Sequence, residues 1–303
     1  YNLFQGGLPG DAGIQGVIDS GQAAQDYLAK GTFINGDGKQ KILSGFVTGD
    51  TGFTIPGAPS SVSLVAGFET KELSTDFRPD TPTLMGDRSG SGGATLPIGG
   101  KYDVDEFFFE LGIPVSNNIS VDAGFRSAEY STGQETDAMK IGTYWTVNDD
   151  LSLRASFQTA QRHANISELY LAVSDGLVDL DNDPCSIQQN GSAATATAAQ
   201  CLNTGLSANL YNTALNSPAD QYNTKGGGNP NVSPEESESL TIGAVITPAS
   251  VPGLSLTIDY FDITVTDGIG SVSAKTALDN CIATGSAQYC NLINRRADNG
   301  SLW

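Results

Sequence analysis

Apolar and polar residues alternate along much of this chain. In Leu151-Ser-Leu-Arg-Ala-Ser-Phe-Gln158, Leu151, Leu153, Ala155 and Phe157 fall on one face and Ser152, Arg154, Ser156 and Gln158 on the other. That period of two predicts a strand with one wet face. Similar apolar rows begin at Val62, Phe107, Ile119, Met139, Leu240 and Leu254, and the opposite faces carry Glu69, Lys71, Glu106, Glu110, Asp122, Arg126, Lys140 and Asp259. An all-β, antiparallel chain is expected. A β-sandwich would alternate in the same way, so the alternation alone does not choose an architecture.

The connections do choose. Turns rich in Pro, Asn, Asp and Gly are expected at Pro56 to Pro59, Pro114 to Asn118, Asn148 to Asp150 and Pro248 to Gly253. The intervening connections are mostly long: 74–100, 161–234 and 267–298, with a shorter one at 131–137 and a further long loop at 1–42 that includes a possible helix at 22–30. Strict alternation of short and long connections sends them to opposite ends of an up-and-down sheet. Short turns at one end, long loops at the other and an apolar outward band predict a transmembrane β-barrel. No run approaches the roughly eighteen apolar residues of a spanning helix, and Tyr1 opens the sequence without a Met, a charged n-region or an apolar h-region, so a helical anchor is not expected.

Composition narrows the reading. The chain has 34 acidic against 15 basic residues, a net charge of −19, and no basic cluster. Nucleic acid is therefore not an expected partner. The cysteines fall into local pairs, Cys185 with Cys201 and Cys281 with Cys290, in polar loops. Two disulfides in an oxidising compartment are expected; zinc is the competing reading, although there is no close C-x-x-C spacing and His163 lies outside both loops.

Several motifs share one likeness. The run from Tyr144 to Tyr170 ends in Arg162, Asn165, Glu168 and Leu169; Gly228-Asn-Pro-Asn-Val-Ser-Pro-Glu235 follows a long loop; Asp259-Tyr-Phe-Asp-Ile263 lies in a late strand. These residues resemble the transport barrel of the TonB-dependent outer-membrane receptors, with Ala164 where that family has Pro and Val232 where it has Leu. The resemblance covers about residues 43–303. It implies a segment of a 22-stranded barrel with long extracellular loops, comprising about eight complete strands and the start of another near Trp303, with the N-terminal plug outside it. It further implies a Gram-negative outer membrane, with its lipids and a TonB-type energy-coupling complex as partners. The chain would bind a scarce small-molecule or oligosaccharide ligand and import it, with no catalysis and no cofactor. The likeness is nearer to receptors for oligosaccharides and other complex nutrients than to compact siderophore receptors. The alternative is a soluble, secreted β-sandwich acting as a binding module or adhesin.

Candidate chemistry follows from side-chain type. Arg162, His163, Glu168, Tyr170, Tyr211 and Tyr222 are candidate ligand contacts, since aromatics stack on rings and Arg pairs with anions. Glu106 and Glu110 share a strand face about 13 Å apart, too far for a retaining acid and nucleophile pair. With Arg126 and Arg154 they are expected to line the barrel lumen. Asp179, Asp181 and Asp183, with Asp175 nearby, form a possible calcium loop without the Gly and distal Glu of an EF-hand. Tyr144 and Trp145 are expected in an interfacial aromatic girdle. No Gly-x-Ser-x-Gly elbow accompanies His163, so a hydrolase is not expected.

Overall fold

The computed structural model describes residues 31–87 and 93–303. The chain divides into two units, one of residues 1–35 and 77–97, the other of 36–76 and 98–303. In the first, a one-turn helix α1 (Thr81–Leu84) starts on Asp80, whose carboxylate accepts from the Thr83 and Phe33 amides at 3.0 and 2.9 Å.

Eight strands form one sheet: β1 (Ile34–Asp50), β2 (Ser63–Pro79), β3 (Ile98–Pro114), β4 (Ile119–Tyr130), β5 (Glu135–Asn148), β6 (Leu151–Arg162), β9 (Glu235–Ile246) and β10 (Leu256–Thr266). Each lies beside its neighbour in sequence except where β9 follows β6. The β3–β4, β4–β5, β5–β6, β6–β9 and β9–β10 ladders are antiparallel. Two short strands, β7 (Ser174–Asp179) and β8 (Gln221–Gly226), pair separately inside the connection between β6 and β9.

The registers align the apolar positions across the sheet. Leu111 pairs with Ala123, Ala123 with Ile141, Ile141 with Phe157 and Phe157 with Leu240. A second row runs Ile113, Val121, Thr143, Ala155, Ile242 and Tyr260. This face is uncovered, with Ile141 55%, Ile242 52% and Ile258 58% exposed. A continuous apolar surface of that kind needs an apolar solvent or partner.

The other face is laced with ion pairs, although the edge strand β10 also turns Phe261, Ile263 and Val265 to it. Glu106, buried, meets Lys71 at 3.0 Å and Arg126, which also reaches Glu69 at 3.5 Å. Lys140 meets Asp122 at 2.9 Å. Arg154 on β6 crosses β9 at Gly243 to hold Asp259 on β10, with Nη2 2.7 Å from Oδ2. A Cβ at Gly243 would run into both the Asp259 carboxylate and the Arg154 Nε. Glycine thus lets the pair lie flat against the wall. Glu110, Arg126 and Arg154 share this face with Glu106, as the alternation requires.

The turns are built as their residues suggest. Ser116 Oγ accepts from the Asn118 and Ile119 amides, and Asn148 Oδ1 from the Asp150 amide at 2.9 Å. Gly133, at φ 83°, closes the β4–β5 turn. These side chains stand in for the missing ladder bonds.

Four expectations change. Strand β1 starts at Ile34, inside the stretch read as a 1–42 loop, and β2 and β3 reduce the 74–100 loop to residues 80–97. Trp303 begins no strand among the described residues; its indole donates to the Leu215 carbonyl at 3.0 Å. Tyr144 points to the polar face opposite Arg154, so only Trp145, opposite Leu153, stands with the apolar rows. The long connections are not structureless: they hold β7 and β8 and four short helices, α2 (Ile166–Tyr170), α3 (Ala198–Asn203), α4 (Ala274–Thr284) and α5 (Ala287–Cys290). The possible helix at 22–30 lies outside the described residues.

Candidate functional site

All the long connections of the larger unit leave the same end of the sheet, and one corner organises them. Arg162 ends β6 and Glu235 opens β9, its ladder partner. The Arg162 guanidinium donates to Glu235 at 2.5 and 3.1 Å and to Glu168 at 3.0 and 3.2 Å. Glu168 also accepts from the Asn165 amide at 2.7 Å while Asn165 accepts from the Glu168 amide at 2.9 Å, a capping box that starts α2. Glu235 further accepts from the Ile269 amide at 3.2 Å, drawing in the next connection. The Gly228 amide donates to Leu171 at 2.7 Å, and that of Asn229 to Glu168 at 2.8 Å. The two motifs that flank the long loop are thus two sides of one joint. Its ion pairs are half-exposed, so each contributes about 1 kcal/mol or less, and their directional hydrogen bonds set the geometry. Arg162's hydrogen bonds hold the Glu168 carboxyl below its ordinary range.

His163 is buried beside this joint. Its ring stacks on Tyr130 at 3.9 Å, meets Tyr102 edge-on at 5.2 Å, and its Nε2 pairs with the Thr132 hydroxyl at 2.8 Å. Burial pushes its pKa below the usual imidazole value. An opened joint therefore binds the proton more readily, and stability is lost as pH falls below about 6.5 until the folded group titrates, by at most about 1.4 kcal/mol per pH unit. Amide exchange at residues 163–171, corrected for intrinsic rates, is expected to quicken on lowering the pH from about 7.5 to 5.5. His163→Gln should abolish that pH dependence; an unchanged profile in the variant would show another group to be responsible.

Above the joint, the 163–234 and 267–303 segments interlock. Disulfides Cys185–Cys201 and Cys281–Cys290 brace them, as the cysteine spacing predicts. Ile282 of α4 packs against both the Cys185, Leu206, Ala214 cluster and the Leu180, Tyr222, Leu278 cluster. At the centre Asp183 and Arg295 form an ion pair with both side chains 1% exposed, at 2.5 and 2.8 Å. Ser186 and the Cys185 amide also donate to Asp183; Arg295 donates to Thr204 and the Gly300 carbonyl. Burial raises the Asp183 pKa, but Arg295's bonds and charge outweigh it and hold the carboxyl below its ordinary value.

That pairing corrects the calcium expectation. Asp183 is committed to Arg295, Asp179 accepts from the Gln221 amide group at 3.3 Å, and no group of three or more His, Cys, Asp or Glu is placed to hold a metal among the described residues. The acidic run was legible in the sequence, whereas its partner, 112 residues away, was not.

The six expected ligand contacts are dispersed. Arg162, His163 and Glu168 make the joint, with Tyr170 packed beside Ile166 and Leu169. Tyr211 donates to the Ala196 carbonyl at 2.8 Å. Tyr222 is 1% exposed, its hydroxyl bonded to Asn216 at 3.0 Å, so its ring is structural floor. That floor underlies a groove of about 510 Å³ between β7–β8, α4 and residues 292–303, with Lys225, Arg296 and Trp303 on its lining. Sequence reading did not choose these three as ligand contacts; the signal for Lys225 and Arg296 is the scarcity of basic residues in the loops.

The comparisons agree with the fold. The family model described as TonB-dependent receptor-like β-barrel matches residues 3–299, and the chain belongs to that family. Its members are outer-membrane β-barrel transporters of Gram-negative bacteria, and the outer membrane is this chain's compartment. Two crystal structures of mutants of the ferric enterobactin receptor from Pseudomonas aeruginosa are similar at 15% and 14% identity, covering 75% and 76% of this chain, with TM-scores of 0.49 and 0.50. The siderophore receptor PirA from Acinetobacter baumannii is 14% identical over 76% of this chain and 28% of its own, with a TM-score of 0.47. The chain spans 27% of the length of the Pseudomonas receptor. No curated protein matches it.

Proposed function

We propose that this chain is part of the wall, and most of one loop cap, of an outer-membrane receptor. The receptor binds a scarce nutrient at its extracellular loops and admits it to the periplasm with energy passed through a TonB-type complex to a plug. The carrying observation is the sheet itself: an uncovered apolar face, a polar face of flattened ion pairs, and long, braced connections gathered at one end. The apolar rows would meet lipid. Glu106, Glu110, Arg126 and Arg154 would face the lumen. The edges β1 and β10 would each expose unpaired backbone groups to lipid at several kcal/mol apiece, which argues that further strands close a barrel of the family's 22. Transport of this kind needs no bond to be made or broken.

A strain deleted for the intact receptor should lose growth on one limiting nutrient, tested with oligosaccharides as sole carbon and with iron withheld by a chelator. Disrupting the TonB complex should give the same loss. Normal growth throughout, with lost attachment to surfaces, would replace the transporter with an adhesin.

A further inference from the structure

The groove in the loop cap brings three features together. Its floor is apolar, formed by Leu180, Leu278, Ile293 and Leu302 around Tyr222. Its rim leaves Val272 47%, Leu292 55% and Trp303 38% exposed. Its volume of about 510 Å³ is that of a small-molecule site.

Charge decides what fits. The 163–234 and 267–303 segments contain four Lys and Arg residues: Lys225, Lys275, Arg295 and Arg296. Arg295 is consumed by Asp183, and Lys275 holds Asp279 at 2.6 Å. The remaining two, Lys225 and Arg296, both lie on this groove, where the one carboxylate on the lining is Asp175. Their own partners are solvent-exposed carboxylates, Asp175 at 3.6 Å and Asp298 at 3.2 Å. Such pairs are weak and exchangeable. In a chain of net charge −19, the two cations of the cap held only by exchangeable surface pairs both line this groove. The walls are preset by the Cys281–Cys290 bridge, the buried ion pair behind Arg296, and the Trp303 bond to Leu215, so little ordering is required of the protein on binding.

We infer that the groove is a ligand subsite for a small amphipathic anion, with its planar apolar body between Trp303 and the Leu278 floor and its carboxylate against Lys225 and Arg296. This rests on the receptor reading and names the chemistry of its cargo. A cation would meet Lys225 and Arg296 against the single carboxylate on the lining, Asp175.

The test is photolabelling of the intact receptor in outer-membrane vesicles with 4-benzoylbenzoate, followed by peptide mapping. Label is expected on peptides spanning 272–282 and 292–303, displaced by 2-naphthoate and not by neutral 2-naphthamide. Lys225→Gln with Arg296→Gln should lower it about ten-fold. Val272→Trp, which fills the mouth and keeps both cations, should lower it too. Label spread over the apolar rows of the sheet, or groove label indifferent to the double variant, would overturn the assignment. Nutrient uptake without groove labelling would remove the subsite and leave the transporter; groove labelling without any uptake phenotype would do the reverse.

Discussion

Replacing Arg295 by Met is expected to open the loop cap at a cost of about 3–5 kcal/mol, the usual penalty for stranding one partner of a buried ion pair. Asp183 would keep two donors, Ser186 and the Cys185 amide, but lose the cation that offsets its burial. Thr204 and the Gly300 carbonyl would lose their bonds as well. The damage should stay local, because these contacts belong to the cap and none to the eight-stranded sheet. Amide exchange in residues 181–187 and 203–205 should rise by orders of magnitude while β3 to β6 stay protected. Asp183→Asn added to Arg295→Met should recover much of the loss, since Asn carries no charge to strand, its Oδ1 can still accept from the Cys185 amide, and its Nδ2 can donate to the Ser186 hydroxyl, which accepts as well as donates. Failure of that rescue would show that the hydrogen bonds to Thr204 and Gly300, not the charge, hold the cap.

Acid acts on the same pair. The Asp183 carboxyl titrates lower in the folded cap than when exposed, so its stabilisation is complete above the unfolded value near 3.9 and is lost only as pH falls through the lower folded one. The cap is thus expected to outlast the His163 corner on acidification.

Gly228→Val should disable the joint. A Cβ there would lie 2.6 Å from the Leu169 carbonyl carbon, 2.7 Å from its oxygen and 2.7 Å from the Leu171 nitrogen. All three are backbone atoms, so no side chain can swing aside. The Gly228 to Leu171 and Asn229 to Glu168 bonds must break, at about 1 kcal/mol each, on top of about 1–3 kcal/mol of overpacking. The 163–234 loop should become protease-sensitive and uptake should fall to background. Gly243→Ala is the control: it too would clash, but with the ends of Arg154 and Asp259, which can move. Equal damage from both would contradict the view that the joint is uniquely unforgiving.

What was legible in the sequence was local. Alternation from Leu151 to Phe157, or from Leu240 to Ile246, is a face pattern and needs no knowledge of the partner strand. The start of β1 escaped because Asn35 to Lys41 alternates glycine with charge and polar groups rather than apolar residues. The β7–β8 pair escaped because each strand is six residues long and Gln221 to Gly226 has one large apolar side chain, Tyr222. Paired cysteines 16 and 9 residues apart could be matched by proximity; Asp183 and Arg295, 112 apart, could not. The ligand contacts were chosen for residue type, and the structure uses most of those groups to build the cap, leaving the groove's two cations as the sparser and better signal.

The central claim is that one face of this sheet meets lipid and that the loops at its far end meet the outside. Single cysteines at Ile242, Thr241 and Asn190 of the intact receptor test it in living cells with a membrane-impermeant maleimide and a bilayer-confined quencher. Asn190 should label from outside, Ile242 should respond only to the bilayer quencher, and its neighbour Thr241 should not. Equal response of Ile242 and Thr241 to the aqueous reagent, or an Asn190 reached only after the outer membrane is breached, would contradict the account.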